Sequence, residues 1–151
     1  MVKLSKEEAE QLLNMIKNSL VDSINFPDLG ELVEFNAKGD TDKDIFTLSI
    51  YRGKINGNKI CHNARIAKNG IILLALDVSD NGCHQNPDGT KITGSHWHIY
   101  TEEFGRKLAY KAEDINSKDF VNNSLKFFEK FNLIQHPAIM IQEKQIGRAH
   151  V

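Results

Sequence analysis

Cysteine is scarce: the 151 residues hold two, Cys61 and Cys83, with no C-x-x-C spacing. That argues against a disulfide-built framework, a zinc knuckle or a redox pair, and two reduced thiols in the cytoplasm are the expectation. Charge of one sign is lacking as well. Nineteen Lys and Arg face twenty Asp and Glu for a formal charge of −1, so no overall positive field draws the chain to long nucleic acids or an anionic membrane. Long apolar runs are missing too. The longest aliphatic stretch is Ile71 to Leu76, and the segment from Met1 to Glu8 has no apolar core of a signal peptide; neither a membrane span nor secretion is expected. Internal repeats and low-complexity tracts are absent.

What is there is the composition of a globular domain, 40% hydrophobic and 26% charged, with length enough to bury one core. Residues 1–145 read as a single domain. The last six, Ile146-Gly147-Arg148-Ala149-His150-Val151, read as a translated short-read sequencing adapter. Residues 146–151 are therefore expected to be read-through, with the natural C-terminus beyond about Gln145, and His150 is set aside.

Ser5 and Glu8 have the spacing of a capping box, and Ala9, Leu12, Leu13, Ile16 and Leu20 recur at helical steps to about Val21. From Glu31 the period becomes two: Val33, Phe35 and Ala37, then Phe46, Leu48 and Ile50, alternate with polar residues. Asn56-Gly57 and Asn69-Gly70 mark tight turns before strands near 59–67 and 71–78. A strand from Ser95 to Thr101 and a partner near Lys107 to Ala112 follow. Ser117 is positioned to cap a helix carrying Phe120, Val121, Leu125, Phe128 and Phe131, and Ala138 to Ile141 suits a last edge strand. The fold class expected is α+β: a curved antiparallel meander of about six strands, flanked by an N-terminal and a C-terminal helix.

Chemistry concentrates between Asp77 and Tyr100. His96, His98 and Tyr100 share one face of a strand, with Trp97 and Ile99 on the other. Asn86-Pro87-Asp88-Gly89 suits a type I turn that folds His84 and Asp88 back over that row. Against this stands the plainer reading that the row is a solvated strand face. His62, alternating with Ile60 and Ala64, reads as a packed histidine.

Three chemical readings fit the row. His96 and His98, completed by His84, Asp77 or Asp88, are acceptable ligands for zinc, manganese or iron. Two imidazoles could instead flank a phosphodiester as general base and acid, with a cation from Arg65, Lys54 or Arg52. Or the same groups bind a phosphorylated ligand without cleaving it, while Tyr51 or Tyr100 stacks a base.

The run from His84 to Tyr100, H-x-N-P-D-G-x-x-I-x-G-x-H-x-H-I-Y, resembles the signature of an uncharacterised family of small bacterial and phage proteins. Beyond it the chain keeps the family's Gly105 and Ala109 but has Leu108 where the family has Trp. The resemblance implies a phage or mobile-element setting and brings no established activity. The leading expectation is thus a cytoplasmic protein of a bacterium or its phage that binds a nucleotide or short RNA through His84, Asp88, His96, His98, Tyr100, Arg65 and Tyr51, without metal or other cofactor, in phage and host conflict. The alternative is a metal-independent phosphodiesterase or ribonuclease using His96, His98 and His84. A third reading is a protein that inhibits a host defence complex through its surface. Self-association is left open.

Overall fold

In the computed structural model, which describes residues 3–141, Ser5 and Glu8 make the reciprocal capping box that opens α1 (Lys6–Asn14). The helix is shorter than its apolar stripe predicts. The backbone turns extended at Met15, and Lys17–Ser19 forms β1, paired with two strands. Ile16 and Leu20, read as helix core, are 57% and 55% exposed. What holds this segment is Lys17, fully buried, whose ammonium donates to the carbonyls of Leu13 (3.0 Å) and Phe131 (2.8 Å). It thereby satisfies one open carbonyl at the C-terminal end of each helix.

The remaining elements are β2 (Ser23–Asn25), β3 (Leu32–Lys38), β4 (Ile45–Arg52), β5 (Ile60–Ile66), β6 (Ile72–Val78), β7 (Cys83–Gln85), β8 (Lys91–Thr93), β9 (His96–Ile99), β10 (Ala109–Lys111), α2 (Phe120–Lys130), β11 (Leu133–Gln135) and β12 (Ala138–Met140). The class is α+β, as expected, and the meander is present: β3, β4, β5, β6, β9 and β10 lie side by side and antiparallel. The strand count differs. β1 and β11 extend the same sheet to eight strands, β11 pairing parallel to β1. Two small sheets, β2 with β12 and β7 with β8, stand outside it. β10 and β12 fall where strands are expected, near Lys107 to Ala112 and Ala138 to Ile141; the other three-residue strands, β1, β2, β7, β8 and β11, carry too few residues to show a period and escape the sequence pattern.

One face of the sheet is apolar and covered by α2. Ile50, His62, Leu76 and Trp97 lie opposite one another across four strands of it, and Trp97 stacks on Phe127 at 6.3 Å between ring centroids. Phe127, outside the predicted stripe, sits with Phe128 and Phe131 at the centre of the core. The helix is capped by Asp119 rather than Ser117, its carboxylate accepting from the Asn122 amide. His62 is packed, as read from the sequence. One ring nitrogen bonds the Ser124 hydroxyl at 2.9 Å, and burial pulls its pKa down to about 4, so it is neutral at physiological pH. Among the described residues no helix is long and apolar enough to cross a membrane, and both cysteines are free. The adapter-like residues 146–151 lie outside the described residues.

Candidate functional site

The other sheet face carries the chemistry, and register decides which residues meet. Tyr51, Cys61, Asp77, His96 and Lys111 form one cross-strand row; Ser49, Asn63, Ala75, His98 and Ala109 form the next. His96 and His98 share this face because they are two apart on β9. They are not a solvated face, being 5% exposed each. Over β9 and β10 lies the β7/β8 hairpin. Its turn is the one read from the sequence, closed by the Gly89 amide donating to the Asn86 carbonyl at 2.8 Å, with Gly89 at φ 91°. The buried Asn86 side chain then pins it to β10, accepting from the Ala109 amide at 2.8 Å and donating to the Ala109 carbonyl at 3.0 Å. Asn86→Ala removes both bonds and leaves two buried peptide groups unpaired, so it is expected to destabilise by about 1–3 kcal/mol, read by urea denaturation, with the hairpin amides exchanging first.

Anchored in this way, His84 of the hairpin meets the strand histidines. Ring centroids are 5.5 Å from His84 to His96, 4.8 Å from His84 to His98 and 4.9 Å between His96 and His98. One ligating atom from each lies within 4.8 Å of the others. Each ring also spends one nitrogen on a backbone carbonyl: His96 Nδ1 on Gly94 at 2.9 Å, His98 Nδ1 on Arg106 at 2.8 Å and His84 Nε2 on Lys107 at 2.7 Å. A carbonyl only accepts, so those three nitrogens carry the protons. Gly94, at φ 84°, turns its own carbonyl back to His96, a conformation a residue with a Cβ resists.

The lone pairs therefore fall on the remaining nitrogens. His96 Nε2 and His98 Nε2 both face Asp77 Oδ2, at 3.2 and 3.3 Å. Burial alone would raise the Asp77 carboxyl, but the His96 and His98 rings, which donate to it once they take a second proton, and the Cys61 thiol outweigh burial and hold it far below the usual carboxylate range. Asp77 in turn raises the proton affinity of His96 against the effect of burial. The Cys61 thiol, half-buried and beside that anion, is pushed up to about 12 and stays protonated. A carboxylate oxygen facing two imidazole lone pairs is repulsive unless positive charge sits among them. Protons on the rings, or a metal ion, supply it.

Of the other expected site residues, Tyr51 lies on this face, two strands from Asp77. Arg65 lies on it as well but is paired with Glu34 at 3.0 Å. Three others are engaged elsewhere, Asp88 in the turn-shaping role its sequence context also suggests. Asp88 is exposed and accepts from the Thr90 amide, shaping its own turn. Tyr100 leaves the histidine row at the strand end, and its hydroxyl accepts from the Leu4 amide at 3.0 Å. Arg52 bonds the Gly57 carbonyl and lies over Phe120 of α2, away from the row. The cation near the cluster is Arg106, absent from the sequence expectation, whose charge lowers the proton affinity of His96 and Cys61.

The fold and site define an α+β protein with three tautomer-fixed histidines and a carboxylate gathered on one sheet face. Residues 4–133 match a family of unknown function, DUF6978, and the chain belongs to that family. No curated protein and no solved structure matches it.

Proposed function

We propose that the protein is a metalloprotein in which His84, His96, His98 and Asp77 hold one divalent transition ion, zinc first. The observation that carries this is the hydrogen-bonding of the rings. Histidines that ligate metal donate their second N–H to a carbonyl or carboxylate, which fixes the tautomer and aims the lone pair, and all three rings here do so. The spacing agrees. Ligands at about 2.0–2.1 Å around a tetrahedral ion stand about 3.3–3.4 Å apart, and the two Nε2 to Oδ2 separations are 3.2 and 3.3 Å. Three imidazoles and one carboxylate suit zinc, with iron and manganese next.

This reading departs from the metal-free expectation for a physical reason. A bare histidine face with Asp77 at its centre repels a phosphate, and the nitrogens that would act as general base and acid face that carboxylate. An ion removes the first obstacle by offsetting the carboxylate's charge, and it occupies those nitrogens, so the paired-histidine acid–base role is dropped. The test is elemental analysis after loading with zinc chloride and exhaustive dialysis. One equivalent is expected at pH 7.5, with release on acidification because protons compete with the ion for the lone pairs of the ligand nitrogens. Less than a tenth of an equivalent retained by folded protein, with manganese and iron equally absent, overturns the reading.

A further inference from the structure

We infer that the ion is one end of a nucleotide site, in which a phosphate sits between the cluster and Arg106 and the base lies on the Tyr51 ring. The inference rests on the metal reading and adds a ligand class to it. Its first support is placement. Tyr51, Cys61 and Asp77 are consecutive partners in one cross-strand row, so about two strand spacings of roughly 4.8 Å separate the tyrosine from the metal-side carboxylate. A mononucleotide laid across the strands spans that distance. The surroundings differ along the row. The β9 end lies under the hairpin, where His96 and His98 are buried, whereas Tyr51 is 40% exposed and presents a ring on which a base can stack.

The second support is charge. Arg106 is exposed and held beside the cluster by its backbone carbonyl, which accepts from His98 Nδ1 at 2.8 Å; among the described residues its side chain forms no ion pair within 4 Å. Lys111 is the β10 partner of His96. On the same face Glu34 is occupied by Arg65. With a divalent ion bound, the cluster end carries positive charge next to a free guanidinium, which binds phosphate by paired hydrogen bonds. A phosphate at one end and an aromatic ring at the other select for an anion that carries a flat group.

The experiment is calorimetric titration of zinc-loaded protein with each of the four ribonucleoside monophosphates and with inorganic phosphate. At least one nucleotide is expected to bind more tightly than phosphate. Tyr51→Ala should weaken that nucleotide about ten- to hundredfold, the loss of one base stack, and leave phosphate affinity unchanged. Arg106→Ala should weaken both ligands. Tyr51 is partly exposed and its replacement spares the core, so the variant tests binding rather than folding. Zinc-loaded protein that binds none of the four nucleotides, or a Tyr51→Ala variant with unchanged nucleotide affinity, overturns the inference and leaves the metal reading standing. A chain that takes up no ion removes both.

Discussion

Zinc at a hundred times its dissociation constant is expected to raise the thermal midpoint of the protein by about 5–11 °C. Binding to the folded state alone contributes about 2.7 kcal/mol at that excess, and a domain of this size gains about 2–4 °C per kcal/mol. Asp77→Ala, and the double variant His96→Ala/His98→Ala, are expected to lose the response. A thousandfold weaker site leaves the same zinc at about a tenth of its dissociation constant, where stabilisation is near 0.1 kcal/mol or less. Asp77→Asn separates charge from geometry: it keeps an oxygen donor and the side-chain shape, and it should retain a reduced shift. Circular dichroism shows whether each variant is folded before zinc is added. An undiminished shift in folded Asp77→Ala would place the ion elsewhere, and no shift in the wild type would remove it.

The cluster was legible in part, and the parts differ in kind. Alternation along β9 places His96 and His98 on one face with Trp97 on the other, because a strand's period is two. The N-P-D-G turn brings His84 over that row. Burial was not legible: a hairpin folding back over a strand is a tertiary event, so alternating histidines read equally well as a wet face. Nor was the partner cation. Arg65 and Cys61 share a face by the same period, yet register puts Cys61 beside Asp77 and Arg65 opposite Thr47, within reach of Glu34. Arg106 lies in an irregular segment after Gly105 with no period to read; its backbone carbonyl, not its side-chain type, ties it to His98. Tyr100 follows the rule of two but ends the strand, where the chain meets α1. The meander itself was plain in the sequence because each of its first four strands is seven or eight residues long.

The first helix failed for a reason that makes its own prediction. Ile16 and Leu20 continue the stripe of α1, but the chain instead buries Lys17 between the ends of two helices, with its ammonium 3.7 Å from the Phe131 ring centroid. Burial draws the pKa of this lysine down from 10.5 to about 7. The unfolded chain keeps the proton up to about 10.5 while the folded chain releases it near 7, so between those values the unfolded state binds more protons and stability rises with pH. Below pH 7 both states are charged and the penalty is constant. The slope attributable to Lys17 approaches about 1.4 kcal/mol per pH unit within the window. A neutral amine still has two N–H groups for the Leu13 and Phe131 carbonyls, so the contacts survive deprotonation. Lys17→Met keeps the stem's volume and removes both the proton and the two donors. It should abolish the slope, so that in denaturant titrations at pH 6.5 and 9 the variant loses more stability relative to wild type at the higher pH. Cys61 works the opposite way above about pH 9, since its folded thiol holds a proton that the unfolded one releases, but that contribution is common to both proteins and cancels in the difference. Parallel pH profiles for wild type and Lys17→Met would show that Lys17 stays charged in the core, its ammonium stabilised by the two carbonyls and the aromatic faces of Phe46 and Phe131.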